Sequence, residues 1–149
     1  MAAKELKETW NVPIYACEKE IDVLTDGQKS LVAGYFREPY TIIPDVTVKE
    51  GDELSIAGFT WKVFETPGHT IGSCCYYIEK ESVLFSGDTL FAGSYGRTDF
   101  PTGSGRQIAE SVRRLLSTLP DDTMVYPGHM DTTTIGFEKK YNPLSGAME

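Results

Sequence analysis

The chain has 149 residues, of which 40% are hydrophobic and 24% charged, and its formal net charge at pH 7 is −8. That length and composition predict one ordered domain, residues 1–149, and the acidic balance argues against nucleic acid or an anionic membrane as a partner. No apolar run reaches the roughly 20 residues of a transmembrane helix, no signal-peptide pattern opens the chain, and the odd set of three cysteines favours a reducing, cytoplasmic location.

The first third of the chain predicts helices and one strand. Ala2, Ala3, Leu6 and Trp10 recur at nearly helical spacing, so a helix opens the chain, although no capping residue or strand precedes it. Residues 12–16 are short, apolar and β-branched, and they predict a strand. Residues 18–25 and 31–37 predict two weaker helices.

From residue 46 onward the hydrophobic period is two. Segments 53–57 and 59–65 flank Gly58, and segments 73–79 and 82–86 flank Lys80-Glu81, which predicts two β-hairpins. After a glycine-rich loop over 87–105, Ser104 and Gln107 have capping-box spacing ahead of an apolar stripe that Pro120 ends, so a helix is predicted there. A strand at 124–126 and a helix at 135–141 complete a mixed α/β chain.

The two histidines of the chain share one local sequence. Pro67-Gly68-His69 and Pro127-Gly128-His129 each follow a predicted strand, and Ser86-Gly87-Asp88 places a carboxylate after a third. Ligands of α/β sheets collect at the carboxyl ends of strands, and imidazole and carboxylate groups bind zinc or iron. A lone loop histidine is usually a surface residue, but the repeated context predicts a metal site of His69, Asp88 and His129. A nucleophilic triad is disfavoured because Ser86 does not stand in a G-x-S-x-G motif.

These motifs resemble the later motifs of the metallo-β-lactamase superfamily. Residues 66–73 (TPGHTIGS), 86–91 (SGDTLF) and 126–129 (YPGH) carry the resemblance, which covers nearly the whole chain. The loop at 93–101 (GSYGRTDFP) resembles, more narrowly, the glyoxalase II-like hydrolases. The resemblance implies an αββα sandwich, two mixed sheets face to face with helices outside.

The resemblance also implies roles for individual residues. His69 resembles a ligand of the first metal site, Asp88 the catalytic carboxylate that bridges two metals, and His129 a ligand of the second site. The implied cofactor is two zinc ions, with iron or manganese as alternatives, and the implied reaction is attack of metal-bound hydroxide on a thiolester such as an acyl-glutathione. Arg97 lies where such enzymes place a basic residue facing the thiol part of the substrate; its alternative role is to order the loop by pairing with Asp99.

One family motif has no counterpart in this sequence. The superfamily's H-x-H-x-D-H run supplies four metal ligands, but no histidine precedes His69. The opening helix resembles the one that follows that run, so we expect an incomplete, N-terminally truncated sandwich. Such a chain is expected to bind metal weakly or not at all, and to be inactive by itself; Asp131 is a further candidate ligand.

Two alternatives to a thiolester hydrolase stay open. One is another chemistry on the same fold, such as a lactamase or a persulfide dioxygenase. The other is a non-catalytic half-fold that serves as a binding or assembly partner. Missing strands would uncover apolar residues drawn from Trp61, Val63, Tyr76, Ile78, Leu84 and Phe85. We therefore expect either the missing N-terminal segment, as a separate chain, or a second copy in a homo-oligomer to cover them.

Overall fold

A computed structural model of the chain describes residues 2–29 and 41–146. These residues group into two compact units, Met1–Val48 and Lys49–Glu149. The helix predicted at 31–37 lies outside the described residues, and the single-domain interpretation stays a prediction. None of the helices in the described ranges combines the length and the apolar character that crossing a bilayer requires.

In residues 2–29 and 41–48, the first unit contains two helices and a small parallel sheet. Its elements are helix α1 (Ala2–Trp10), strand β1 (Tyr15–Cys17), helix α2 (Ile21–Thr25) and strand β2 (Val46–Val48), with a 3-10 turn at Glu18–Glu20. Strands β1 and β2 pair in parallel from Tyr15 opposite Val46 to Cys17 opposite Val48. The Asp45 carboxylate accepts a hydrogen bond from the backbone N–H of Ile14 at 2.8 Å and pairs with Lys7. The predicted opening helix is confirmed, whereas the strand begins three residues later than predicted.

The second unit is built on a six-stranded mixed sheet. Its strands are β3 (Glu53–Ile56), β4 (Phe59–Glu65), β5 (Cys74–Ile78), β6 (Val83–Gly87), β9 (Met124–Pro127) and β10 (Thr133–Thr134), in the order β10-β9-β6-β5-β4-β3. Both predicted hairpins, β3–β4 and β5–β6, are confirmed. The glycine-rich loop contains a further small hairpin of strands β7 (Leu90–Phe91) and β8 (Ser94–Tyr95). Helices α3 (Gly105–Thr118) and α4 (Ile135–Tyr141) complete the unit.

Strand direction brings three carboxyl ends to one edge of this sheet. Strand β4 is antiparallel to β5, β5 is antiparallel to β6, and β6 is parallel to β9. Strands β4, β6 and β9 therefore point the same way and end at the same edge. Each of the three predicted ligands follows one of these strands.

One face of the sheet packs against helix α3. The helix begins where the sequence predicts, because the Ser104 side chain accepts a hydrogen bond from the backbone N–H of Gln107 at 3.3 Å. Its apolar stripe meets sheet residues of the same face in one buried core, made of Cys75, Tyr77, Leu84, Leu90, Ile108, Val112, Leu115, Leu116, Leu119, Val125 and Ile135. Each fully buried leucine or isoleucine contributes about 1.5–3 kcal/mol through the apolar area it removes from water.

The opposite face carries a row of aromatic side chains, which we call the aromatic face. Tyr76, Phe85 and Tyr126 lie opposite one another on β5, β6 and β9 and so share this face. Phe85 contacts Tyr126 and Trp61 with ring centroids 5.6 and 5.4 Å apart. Phe85 is 39% exposed and Tyr126 43% exposed. Alternation places Leu84 on the α3 side of the sheet, where it is buried.

Candidate metal centre

The structure brings the three predicted ligands together. Asp88 directly follows β6, and His129 and His69 lie in the loops after β9 and β4. The His69 Nε2 atom lies 3.4 Å from Asp88 Oδ2, and the His129 Nε2 atom lies 3.5 Å from Asp88 Oδ1. The carboxylate therefore stands between the imidazoles and presents a different oxygen to each.

The glycine of each Pro-Gly-His tripeptide is required by a close approach. A Cβ atom on Gly128 would lie 2.4 Å from Oδ1 of Asp88, so only glycine leaves room for the carboxylate. Gly68 has φ +140°, and a Cβ atom there would lie 2.3 Å from the backbone nitrogen of Ile108 in α3. The repeated sequence thus serves two different contacts, one with the candidate ligand and one with the helix.

The imidazole of His69 is held from two sides. Its Nδ1 atom lies 2.9 Å from the carbonyl oxygen of Arg97, and its ring meets the Phe100 ring edge-on at 4.8 Å. A carbonyl oxygen only accepts hydrogen bonds, so Nδ1 must donate and carry the proton. In the neutral ring the lone pair is then on Nε2, the atom that faces Asp88. An imidazole ligand oriented by a carbonyl at its other nitrogen is the usual arrangement at protein metal sites.

His129 is held less firmly. Its side chain is 71% exposed, and its ring contact is with Phe91, whose centroid lies 6.0 Å away. The next residue, Met130, has φ +68°, a left-handed backbone conformation that is uncommon outside glycine. The two histidines therefore differ in how well the surrounding residues fix them.

The three side chains fit a pair of metal ions that would share the Asp88 carboxylate. Each ion would then have two donors, one histidine nitrogen and one oxygen of Asp88. Ligands about 2.0–2.1 Å from a tetrahedral zinc are themselves separated by about 3.3–3.5 Å, as the two histidine–carboxylate pairs are. Across residues 2–29 and 41–146, however, no group of three or more histidine, cysteine, aspartate or glutamate side chains could hold one ion, and Asp131 completes none. A catalytic zinc usually has three protein ligands, one more than each histidine–carboxylate pair supplies.

Arg97 is engaged within its own loop. Its Nε and Nη2 atoms donate to the two carboxylate oxygens of Asp99 at 2.6 and 2.5 Å, and its guanidinium lies 4.7 Å from the centroid of the Phe100 ring. The Arg97 hydrogen bonds lower the pKa of Asp99 to about 2. This is the loop-ordering arrangement, one of the two roles that the sequence left open. Substrate binding by Arg97 stays a prediction.

Gly96 belongs to the site although the sequence did not single it out. A Cβ atom there would lie 1.8 Å from the carbonyl oxygen of Asp88 and 3.3 Å from Nδ1 of His69. Glycine at this position therefore lets the 93–101 loop close over two of the candidate ligands. The glycine-rich composition of that loop is the signal that could have indicated such a contact.

A family model described as the metallo-beta-lactamase superfamily matches residues 1–129. The chain belongs to the metallo-β-lactamase superfamily. An uncharacterised protein of Aquifex aeolicus (strain VF5) is 43% identical over 144 residues, covering 97% of this chain and 68% of that protein. The hydroxyacylglutathione hydrolase GloC of Haemophilus influenzae is 36% identical over 146 residues, covering 96% of this chain and 68% of the enzyme.

Solved structures of the superfamily share the α/β fold. The structure of the BLEG-1 B3 metallo-beta-lactamase superposes with a TM-score of 0.87 at 39% identity, covering 97% of this chain and 71% of that chain. The structure of TTHA1623 in a di-iron-bound form superposes with a TM-score of 0.82 at 33% identity, covering 95% and 69%. The comparisons support a metallo-hydrolase family that binds divalent metals. The predicted fold class is confirmed, while the substrate and the metal are proposals.

Proposed function

We propose that this chain supplies half of the two-metal centre of a thiolester hydrolase. The observation that carries the proposal is that the two oxygens of Asp88 face different histidines, His69 and His129, as a bridging carboxylate would. Two features support thiolester chemistry over the other reactions of the superfamily. One is the resemblance of the 93–101 loop to glyoxalase II-like enzymes, and the other is the 36% identity to GloC.

The side chains divide the work of binding and orientation. Asp88, His69 and His129 would hold the ions. The Nδ1–H of His69 donates to the Arg97 carbonyl and so leaves the Nε2 lone pair on the side of Asp88, and His129 is the more exposed of the two imidazoles. When bound, a divalent metal supplies Lewis-acid polarisation of a carbonyl and lowers the pKa of water. Zinc is the proposed metal because imidazole and carboxylate suit it; iron is the first alternative, given the di-iron form of TTHA1623, and manganese the second.

The isolated chain is proposed to be inactive. Two donors per ion leave each site short of the three protein ligands that a catalytic zinc needs. Histidine donors from within this sequence are limited to His69 and His129. Activity therefore requires further ligands from another polypeptide segment.

A complementation assay tests this proposal. The purified chain is mixed, in zinc-containing buffer, with the part of the Aquifex aeolicus relative, about one third of its length, that has no counterpart here. Hydrolysis of S-lactoylglutathione is expected from the mixture and from neither component alone. His129→Ala and Asp88→Asn should abolish it, and the exposed Asp122→Asn is the matched control that should retain it.

Two results would contradict the proposal. A mixture that takes up metal but leaves the thiolester intact would remove the substrate assignment, and hydrolysis of a cephalosporin instead would favour a lactamase. Full thiolester turnover by the isolated chain would show that the ligand count is wrong.

The aromatic face favours a second candidate function, a non-catalytic assembly partner. Phe85 and Tyr126 are exposed and contact each other, and Phe85 also contacts the half-buried Trp61; an apolar patch of this kind is typical of a surface that binds another polypeptide. We propose that its occupant is the segment that carries the remaining ligands, so both functions would use one complex. Light scattering with intact mass measurement distinguishes the outcomes: a stable complex without hydrolysis supports the assembly function alone, and a homo-oligomer replaces the occupant with a second copy.

A further inference from the structure

Glu138 is a buried carboxylate that the proposed centre does not use directly. It lies in the first turn of α4 and is 0% exposed. The backbone N–H of Gly93 donates to both of its oxygens, at 3.0 and 3.1 Å, and the Thr133 hydroxyl donates to Oε1 at 2.6 Å. The Asn142 side-chain amide donates to Oε2 at 2.7 Å. The hydrogen bonds from these three donors offset the free-energy cost of removing the carboxylate from water.

These bonds hold the tip of the β7–β8 hairpin. Gly93 lies in the two-residue turn of that hairpin with φ +63°, and its only backbone donor is directed at Glu138. The Asn142 amide that bonds Glu138 also lies 2.9 Å from the carbonyl oxygen of Ser94 and donates to it. The turn residue Gly93 and the first residue of β8, Ser94, are thus both attached to one buried polar pair, Glu138 of α4 and Asn142 directly after its end.

The same hairpin is connected to each of the three candidate ligands, through the chain or through a side-chain contact. It begins two residues after Asp88, and its Phe91 ring meets the His129 ring. It ends two residues before Arg97, whose carbonyl accepts the Nδ1 proton of His69. A displacement of the hairpin would therefore move the group that selects the His69 tautomer.

We propose that Glu138 is a positioning residue of the metal centre, which fixes the His69 imidazole through the β7–β8 hairpin and the Arg97 carbonyl. The inference rests on the proposed function, since it matters only if Nε2 of His69 is a metal ligand. Replacing Glu138 by Gln keeps the shape but turns one acceptor into an NH₂ donor. That group would face the N–H of Gly93 and one further donor, so the hairpin would lose at least one of its attachments.

The test reads the tautomer of His69 in the metal-free chain by ¹⁵N NMR of the imidazoles, at a pH where both rings are neutral. With two histidines in the chain, the spectrum holds two imidazoles, and His129→Gln assigns them. Native His69 is expected to carry its proton on Nδ1. In Glu138→Gln the form protonated on Nε2 should become comparably populated, and amide exchange at Gly93 and Arg97 should accelerate about tenfold or more.

A matched control separates positioning from general loss of stability. Val112→Ala removes buried core volume in α3 and should lower the Tm without changing the His69 tautomer. If Glu138→Gln fails to fold, Asn142→Ala removes the bonds to Glu138 and Ser94 and should shift the tautomer in the same direction.

An unchanged tautomer and unchanged exchange in the folded Glu138 or Asn142 variant would overturn the inference, as would an equal tautomer change in Val112→Ala. Because these readouts need neither metal nor substrate, they are unaffected if the thiolester assay fails. A negative result for the positioning role can therefore be told apart from a negative result for the proposed function.

Discussion

The Nδ1 atom of His69 lies 2.9 Å from the main-chain carbonyl oxygen of Arg97, a residue 28 positions further along the chain. This single hydrogen bond links the conformation of the 93–101 loop to the orientation and tautomer of a candidate metal ligand. A change in the backbone of the loop should therefore change the orientation or tautomer of His69, even when no candidate ligand is substituted.

Gly96→Ala is predicted to disrupt the site through the backbone. Its new Cβ atom would overlap the carbonyl oxygen of Asp88, so either the loop or the ligand-bearing turn has to move. Overpacking of this kind costs about 1–3 kcal/mol. Chemical denaturation should show that loss, and the His69 imidazole signals should shift.

Gly105→Ala is the control for that substitution. A Cβ atom at Gly105 would meet its nearest atom, Thr98 Oγ1, at 3.8 Å, an ordinary contact, and the residue opens helix α3. Alanine there should be neutral or stabilising by up to about 1 kcal/mol. Equal losses in the two variants would show that the close approach at Gly96 has no special effect.

The Arg97–Asp99 pair predicts a stability change restricted to acid. The folded pKa of Asp99 is lowered to about 2 by its hydrogen bonds to Arg97, below the ordinary value of 3.8. The stabilisation from this pair is present above about pH 3.8 and is lost as the pH falls from there toward 2, because the unfolded chain takes up the proton first. The pair is solvent-exposed, so the effect should be small and should weaken with added salt.

An NMR titration of the Asp99 carboxyl carbon measures that pKa directly. Arg97→Ala should return it toward 3.8, whereas Arg106→Ala, which breaks an exposed pair with Glu110 in α3, should leave it unchanged. A titration of Asp99 near 3.8 in the unaltered chain would contradict the pairing.

The cysteines should differ in reactivity according to their burial. Burial raises the pKa of the Cys75 thiol to about 12, and Cys17 is also buried, whereas Cys74 is partly exposed. The thiolate is the reactive form, so iodoacetamide at mildly alkaline pH should label Cys74 first. Peptide mass spectrometry should find Cys17 and Cys75 modified only after denaturant is added; equal labelling of Cys75 in the folded chain would contradict its burial.

The aromatic face should bind hydrophobic dyes and promote self-association. Phe85→Ser removes the central ring of the stack, so it should reduce fluorescence of bound ANS and lower the average mass in light scattering. Phe137→Ser is a matched control, because Phe137 is similarly exposed but lies on α4. A monomeric native chain that binds no dye would show that this face needs no partner.

The regular elements of the chain were predictable because their signals are local. The apolar stripe of α3 and its Ser104 cap defined the helix, and period-two segments around Gly58 and Lys80-Glu81 defined both hairpins. Strands β7, β8 and β10 have two residues each, too few for any period to be visible, and they were missed. The β7–β8 turn is also held by the bond between Gly93 and Glu138, 45 positions further along the chain, and such a contact leaves no local signal in the sequence.

The position of the three candidate ligands in the fold was predictable for a different reason. His69, Asp88 and His129 each follow a strand within four residues, and strand direction then brings them to one edge of the sheet. The residues that orient them were not predictable, because a main-chain carbonyl such as that of Arg97 leaves no sequence signal. Glu138 likewise reads as an ordinary acidic residue of an amphipathic helix until its burial is known.

Zinc affinity of the isolated chain tests the incomplete two-ion centre most directly. Competition titration against a zinc-sensitive dye should give a Kd above about 1 μM, because each ion would have two protein donors. A Kd of about 1 μM corresponds to a binding free energy of about −8.2 kcal/mol. The value should change little in His129→Ala. A nanomolar site in the isolated chain that His69→Ala, Asp88→Asn and His129→Ala each abolish would show that these three residues close a metal site by themselves, and would contradict the two-donor arrangement.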